Sequence, residues 1–201
     1  VGPVIFTPAL NSLGAGRHEL NHYAGSTQLQ GDNSRFAGNT TVSGGSLVVL
    51  NILGTAQGRI DAGVVPGATA RVSVFNPGST WALTDNLFVG GGGPGELSIF
   101  NSGTVSNQFA TVDALQNGVA TVTVADAGSL WSNRAALLVG SEGGQGRVSI
   151  LAGGYVTSND GYIGRNQNGS GTVNVSGSGS AWVNGGMLRV GDVSGRGVLN
   201  I

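Results

Sequence analysis

The sequence lacks cysteine, has no long apolar run and contains few charged or aromatic residues. Of its 201 residues none is Cys, 9% are charged and 6% are aromatic. The absence of Cys fits either a reducing compartment or an export route in which disulfides would obstruct translocation. No stretch approaches the ~18 apolar residues that a membrane-spanning helix needs, and no basic segment followed by a short apolar run indicates a signal peptide. Neither element is therefore predicted for this chain.

Positive charge is sparse and dispersed. All nine basic residues are Arg, they are scattered singly from Arg17 to Arg196, and the formal net charge is -1. Proteins that bind nucleic acids gather Lys and Arg into patches that face the phosphates. The sequence therefore predicts no nucleic-acid partner. The sequence also contains no motif that indicates a cofactor.

Glycine is abundant, and the chain repeats itself. There are 38 Gly residues, without the triplet period of collagen. Short apolar pairs that follow a small residue recur every 25 or 26 residues, at Leu47/Val49, Val72/Val74, Leu97/Ile99, Val122/Val124, Val148/Ile150, Val173/Val175 and Leu199/Ile201. A fixed period of this length is typical of a solenoid, in which each repeat buries its apolar face against its neighbours.

Two further inward positions follow each apolar pair. The second is expected at Trp81, Val105, Trp131, Val156 and Trp182, and the third at Leu87, Val112, Leu137, Ile163 and Leu188. Alternation of apolar and polar residues over short segments bounded by Gly, Asn and Ser indicates strands. The sequence thus predicts an all-β fold, a parallel (right-handed) β-helix with about 25 residues per coil and roughly seven to eight coils. Trp in every second coil predicts that bulky and small side chains alternate along the core.

The repeat does not begin at the first residue. Residues 1–24 depart from the pattern and are expected to form an irregular N-terminal segment or a first coil, whereas 25–201 are expected to form one continuous solenoid. Because the pattern starts and stops within a repeat, we expect the chain to be a piece of a longer protein, truncated at both ends.

Two sequence patterns resemble the passenger domains of bacterial autotransporters, which are exported by type V secretion. One is the G-x-V-x-V-x-x-x-G-S-x-W-x-x-x-x-x-L-x-V-G pattern of residues 171–191, which recurs at 120–140 with Ala at its first position. The other is similar to the autotransporter-associated β-strand repeat, and its matching positions are Gly31, Asn33, Phe36, Gly38, Thr40, Thr41, Val42, Gly44, Gly45, Leu47 and Val49. Together the two patterns cover roughly residues 25–201.

This resemblance implies a location and a class of function. Passengers are carried across the outer membrane through a C-terminal β-barrel, which would lie outside this chain, and are displayed on the bacterial cell surface or secreted after cleavage. The resemblance implies an adhesin that binds a host matrix protein or glycan, or that self-associates with a like passenger. A passive structural stalk that presents another domain is the alternative.

One motif indicates a different chemistry. His18, Glu19 and His22 fit the H-E-x-x-H pattern of zinc proteases, with Gly25 where the longer signature has Gly. That chemistry needs a helix, so that two His one turn apart bind zinc while Glu polarises the bound water. The third ligand position is Gln28, the chain has no other His, and nearby Gly residues leave room for about two helical turns. The same residues also fit a strand, and we expect no metal site here.

Parallel β-helices also include polysaccharide lyases and glycosidases, which use carboxylates from neighbouring coils. Glu142 and Asp192 share a corner of the repeat but lie two coils apart, and Asp85 and Asp160 lie three coils apart. No pair of adjacent carboxylates is therefore predicted. We expect a binding or structural protein rather than an enzyme, with no catalytic residues in this chain.

Overall fold

Short strands alternate with tight turns along the whole described chain. A computed structural model describes residues 2–12, 17–63, 67–115 and 118–201. It is all-β: parallel strands stack into a β-solenoid of about 8 turns, with equivalent residues roughly 25 apart. The fold class predicted from the repeat is thus confirmed.

The described residues form 23 strands. In chain order these are β1 (Val4–Phe6), β2 (Glu19–His22), β3 (Ser26–Leu29), β4 (Asn39–Val42), β5 (Gly45–Val49), β6 (Ile52–Thr55), β7 (Gly58–Ile60), β8 (Ala70–Phe75), β9 (Thr80–Leu83), β10 (Leu87–Gly91), β11 (Gly95–Phe100), β12 (Thr104–Asn107), β13 (Ala110–Ala114), β14 (Ala120–Ala125), β15 (Leu130–Asn133), β16 (Ala136–Ser141), β17 (Gln145–Leu151), β18 (Tyr155–Ser158), β19 (Asp160–Arg165), β20 (Ser170–Ser176), β21 (Ala181–Asn184), β22 (Leu188–Asp192) and β23 (Arg196–Asn200).

The strands form three parallel ladders that run along the solenoid axis. Ladder 1 contains β1, β3, β5, β8, β11, β14, β17, β20 and β23. Ladder 2 contains β6, β9, β12, β15, β18 and β21. Ladder 3 contains β2, β4, β7, β10, β13, β16, β19 and β22. A complete coil takes one strand from each ladder.

The apolar pairs found in the sequence form the inner face of ladder 1. Leu47, Val72, Leu97, Val122 and Val148 pair in successive coils, and each is at most 1% exposed. The intervening residues of each strand point outward, as the period of two along a strand requires. This register is the one that the repeat predicts.

The predicted Trp column is also correct. Trp81, Val105, Trp131, Val156 and Trp182 pair in order along ladder 2, and Leu53 occupies the same column before Trp81. Trp81 and Trp131 are both 0% exposed. Large and small side chains therefore alternate from coil to coil in this column, which lets neighbouring coils interdigitate.

The predicted third inward column is wrong in register. Leu87 pairs with Gly58 and Ala110, not with Val112, and the column continues through Leu137 and Gly161 to Leu188. Val112 belongs to a second column two residues further on, between Val89 and Val139. The corrected column alternates Leu with Gly or Ala, in phase with the Trp column.

Small residues in this column make room for the Trp side chains. A Cβ on Gly58 would lie 2.6 Å from Cζ2 of Trp81, and one on Gly161 would lie 2.7 Å from Cζ2 of Trp182. Each Trp coil therefore packs against a coil whose third strand carries a small residue. The true structural repeat consists of two coils, one bulky and one small.

A column of mostly polar side chains, interrupted by Leu83, lies inside the solenoid two residues beyond the Trp column. The indole N–H groups of Trp81, Trp131 and Trp182 donate to Thr55, Asn107 and Ser158, at 3.1, 2.9 and 3.0 Å respectively. Each acceptor belongs to the preceding coil. A buried Trp N–H needs an acceptor, and these side chains supply it.

The first coils contain fewer residues than those that follow: Thr27 pairs with Leu47, 20 residues on, whereas Leu47 pairs with Val72, 25 residues on. β1 pairs with β3 and β2 with β4, so residues on both sides of position 24 take part in the ladders. Buried Asn33 joins the N-terminal segment to this region, because its Oδ1 accepts from the Leu10 N–H at 2.6 Å and its Nδ2 donates to the Gly31 carbonyl at 2.8 Å. The boundary proposed between residues 24 and 25 stays a prediction.

Candidate functional site

The H-E-x-x-H segment lies on a strand. Glu19 to His22 form β2, with Leu20 and His22 facing inward and Glu19 facing solvent. Residues four apart on a strand are about 13 Å apart, so His18 and His22 cannot share a metal ion as they would on a helix. Nδ1 of His22 donates to the Gly44 carbonyl at 2.9 Å. In the described ranges, no three His, Asp or Glu side chains are grouped closely enough to hold a metal ion.

An open cavity of about 420 Å³ adjoins this segment. It is lined by Arg17, His18, Glu19 and Asn39, together with Ala37 and Gly38. The lining is mostly polar, but Glu19 and Asn39 are exposed side chains at strand starts. The cavity has no apolar wall against which a small molecule could bury itself, as ligand pockets usually have.

A cluster of charged groups lies at the corner that leads from ladder 3 to ladder 1. Asp61 is 8% exposed and pairs with the Arg59 guanidinium at 2.6 Å. Its two oxygens also accept from the backbone N–H groups of Gly63, Gly92 and Gly93 at 2.8, 3.0 and 2.9 Å. Burial alone would raise the pKa of Asp61, but these four donors hold it below its usual value. Asp61 belongs to none of the motifs that the sequence shows.

A second carboxylate occupies the equivalent position two coils further along. Ile60 pairs with Val89, so the residues that follow them, Asp61 and Gly90, are aligned. Gly90 pairs in turn with Asp113, and the three residues therefore form one column. Burial raises the pKa of Asp113, although the Ser141 hydroxyl opposes this by donating to its Oδ2 at 2.6 Å. The charge of Glu142 raises it further.

These two carboxylates differ in the way that an acid and a base of one active site often differ. Asp61, however, has both oxygens engaged by protein donors, so it has no free acceptor for a substrate or a water molecule. Its bonds join Gly63 of one coil to Gly92 and Gly93 of the next. The arrangement therefore stabilises the glycine-rich corner, and its geometry does not assemble a reaction centre.

The outer face of ladder 1 presents side chains in register across successive coils. We name two of its columns by their members. The hydroxyl column consists of Ser73, Ser98, Thr123 and Ser149. The apolar column consists of Leu50, Phe75, Phe100, Ala125 and Leu151.

The hydroxyl column is available to solvent. Its four side chains are half-buried, and across the described ranges their hydroxyls have no hydrogen bond to another protein group. On the outer face of ladder 2, by contrast, the hydroxyls of Thr157 and Ser132 bond each other at 3.2 Å. The hydroxyl column thus offers four regularly spaced donors and acceptors in successive coils.

Aromatic side chains lie on the outer faces of all three ladders; Tyr155 is exposed on ladder 2, and those on ladders 1 and 3 make ring contacts. On ladder 1, the rings of Phe75 and Phe100 are stacked with centroids 5.0 Å apart and planes 4° apart. On ladder 3, the Arg165 guanidinium lies 4.5 Å from the ring centroid of Tyr162, and that of Arg189 lies 6.0 Å from it. The Tyr162 ring is therefore already covered by cations of this chain.

Comparison with known protein families, curated proteins and solved structures gives no match. Nor does any described residue belong to a helix long and apolar enough to cross a membrane. The interpretation of function therefore depends on the chemistry of the surfaces themselves.

Proposed function

We propose that this chain is part of a bacterial autotransporter passenger that is displayed at the cell surface and acts as an adhesin. Its partner would be a host matrix protein, a glycan or a like passenger. The observation that supports this most is the outer face of ladder 1, where the hydroxyl column runs through four coils without an insertion. Free hydroxyls at a fixed spacing can bind an extended partner by many weak contacts at once.

Recognition on this face would depend on side chains alone. The backbone groups of ladder 1 bond to the coils on either side, so a peptide cannot add to the face as a further strand. A ligand can reach only the hydroxyl column, the apolar column and the neighbouring charged side chains. This favours a partner that is itself rich in hydrogen-bonding groups.

A passive stalk is the second candidate. Each strand pairs with strands of the adjacent coils in its own ladder, so coils could be added or removed without destroying a site formed by distant residues. A rod of this kind could simply hold another domain away from the membrane. We rank a polysaccharide lyase or glycosidase below both, because the oxygens of Asp61 are occupied.

The adhesin and the stalk differ in what the isolated chain can do. The purified chain would be applied to arrays of glycans and extracellular-matrix proteins, and its self-association would be followed by sedimentation velocity in the same buffer. Saturable binding to one class of partner, or dimers that form with increasing concentration, would support adhesion. No binding on the arrays and no self-association would contradict adhesion and favour the stalk.

A further inference from the structure

The apolar column on the outer face of ladder 1 has a gap at Ala125. Phe75 and Phe100 pair in register and stack ring on ring. Ala125 takes the equivalent position in the next coil, because it follows Val124, the partner of Ile99. Leu151 follows in the coil after that, paired with Ala125. The column thus changes from two rings to a single methyl group and back to a large side chain.

The thickness of this gap can be derived from the coil spacing. Stacked strands lie about 4.8 Å apart, so Phe100 and Leu151, two coils apart, are separated by roughly 10 Å. Ala125 fills little of the space between them. The ring face of Phe100 that is turned away from Phe75 therefore borders a space about one ring thick.

Free hydroxyls lie beside the gap. Thr123 precedes Ala125 by two residues on the same face of β14, which places their Cα atoms about 6.7 Å apart. Ser98 and Ser149 are the register partners of Thr123 in the two adjacent coils. A molecule seated against Phe100 would thus have three hydroxyls within reach along one side.

The charges near the gap favour an uncharged ligand. Arg71 and Glu96, which border the hydroxyl column, form an ion pair of 2.7 Å and so cancel each other. The same column continues with Thr121, which is uncharged, and with Arg147, which forms no ion pair among the described residues. Asp126, directly after Ala125, places one negative charge near the gap. A polyanion would need several unpaired cations along the face, and this part of the face provides only Arg147.

We propose that the outer face of ladder 1 binds a neutral glycan, with one sugar ring in the gap beside Ala125. A pyranose ring has an apolar C–H face, which would stack on Phe100, and hydroxyls at its rim, which would bond Ser98, Thr123 and Ser149. An aromatic side chain of a partner protein could fill the gap but would leave the hydroxyls unused. This inference rests on the proposed adhesive function and names its ligand class.

Filling the gap provides a test that does not depend on damaging the fold. The variant Ala125→Phe extends the Phe75–Phe100 stack by one ring. The new ring would lie next to Leu151, and the column already accommodates such a neighbour, because Leu50 lies beside Phe75. The matched control Ala82→Phe adds the same bulk on the outer face of ladder 2. The probes are arrayed neutral hexose and N-acetylhexosamine oligosaccharides, with heparin and sialylated oligosaccharides as charged comparisons.

We expect the whole chain to bind neutral oligosaccharides, Ala125→Phe to bind about tenfold or more weakly, and Ala82→Phe to bind like the unmodified chain. Both variants should keep the melting temperature. Neutral-glycan binding that survives Ala125→Phe would overturn the proposed site.

Two subtractive variants test the separate contacts. Phe100→Ala removes the ring platform, and Thr123→Val removes one hydroxyl at constant shape. Their matched controls are Phe88→Ala and Thr111→Val on the outer face of ladder 3. The first two should weaken binding severalfold more than the controls, and equal effects in the two pairs would contradict the proposal.

The array also separates this inference from the proposed function. Binding to a matrix protein, to charged glycans or to a second copy, without neutral-glycan binding, would overturn the glycan site and leave adhesion standing. No binding to any partner would overturn both.

Discussion

The indole N–H of Trp131 donates a hydrogen bond of 2.9 Å to Oδ1 of Asn107 in the preceding coil. Both side chains are 0% exposed. Asn107 in turn donates from Nδ2 to Oδ1 of Asn133 in the next coil, at 2.8 Å. One amide thus satisfies the polar groups of two neighbours, so successive coils are joined in the core by directional bonds as well as by apolar contacts.

Replacing Asn107 should therefore destabilise the solenoid. Asn107→Ala leaves the Trp131 N–H without an acceptor and Asn133 without a donor, and each unsatisfied buried group costs roughly 1–3 kcal/mol. We expect a loss of about 2–4 kcal/mol in the free energy of unfolding, measured by chemical denaturation. Asn200→Ala, at an exposed position, is the matched control and should change stability by less than about 0.5 kcal/mol. Equal effects of the two substitutions would rule out a structural role for the polar column.

The alternation of large and small residues in the third inward column can be tested by exchanging two of them. Ala110→Leu inserts a large side chain between Leu87 and Leu137 and should cost about 1–3 kcal/mol by overpacking. Leu137→Ala leaves a cavity and should cost about 2–5 kcal/mol. In the double variant the inserted Leu occupies part of that cavity, so the combined loss should be about 1–2 kcal/mol smaller than the sum. Strict additivity in the double-mutant cycle would show that the two residues do not pack together.

The two-coil repeat also predicts which deletions the fold tolerates. Removing residues 101–151 deletes two coils, one with Val105 and one with Trp131. Val156 then stacks on Trp81, so the alternation of Trp with a smaller residue is kept. Removing only 101–125 would place Trp131 on Trp81 and give its indole N–H the Leu83 side chain in place of Asn107. We expect the longer deletion to unfold cooperatively by circular dichroism, and the shorter one to melt at a much lower temperature or fail to fold. The reverse order of stability would contradict the repeat.

The charged corner predicts opposite pH effects for its two carboxylates. Burial raises the pKa of Asp113 above its ordinary value of 3.8, so the folded chain binds this proton more tightly than the unfolded chain does. The contribution of Asp113 to stability therefore increases as the pH falls from the raised pKa toward 3.8. Asp113→Asn should raise the free energy of unfolding at about pH 7 and abolish the gain in stability that the unmodified chain shows as the pH falls.

Asp61 should show the opposite dependence of stability on pH. Its pKa is held below 3.8, so its stabilising effect is present above that value and is lost as the pH falls through the lowered pKa. Asp61→Asn should thus reduce stability at neutral pH. Unfolding free energies measured from neutral to acidic pH check both variants, and a loss of stability at neutral pH in Asp113→Asn would contradict the destabilising burial of the Asp113 charge.

The sequence predicts the apolar pairs of ladder 1 and the Trp column because the segments that connect them vary little in length. It misplaces the third inward column because two turns, from ladder 1 to ladder 2 and from ladder 2 to ladder 3, are each one residue longer in the Trp coils than in the others, which shifts the column by two residues. A constant offset therefore aligns Leu87 with Val112, whereas the structure pairs it with Ala110. The acceptors Asn107 and Ser158 could have been found from the need of each buried indole for a partner.

The charged corner was harder to predict. Asp61 precedes the region where the repeat becomes regular, and its column partner in the next coil is Gly90, so no repeated acidic residue reveals it. Linear offsets also separate Asp113 from Glu142, although the corner brings them close enough for the charge of Glu142 to raise the pKa of Asp113. The gap at Ala125 depends on side chains stacking in register, which only the structure makes visible.

Attachment by the isolated chain tests most directly whether this solenoid is itself adhesive. Beads carrying only the whole chain would be presented to surfaces coated with neutral glycans, matrix proteins or the chain itself, and bound beads would be counted against beads carrying the 101–151 deletion at equal density. We expect specific attachment by the whole chain with no other domain present, and loss of attachment on deletion, which removes Thr123, Ala125 and Ser149. Attachment no greater than that of the deletion on every surface would contradict adhesion and leave the chain as a spacer.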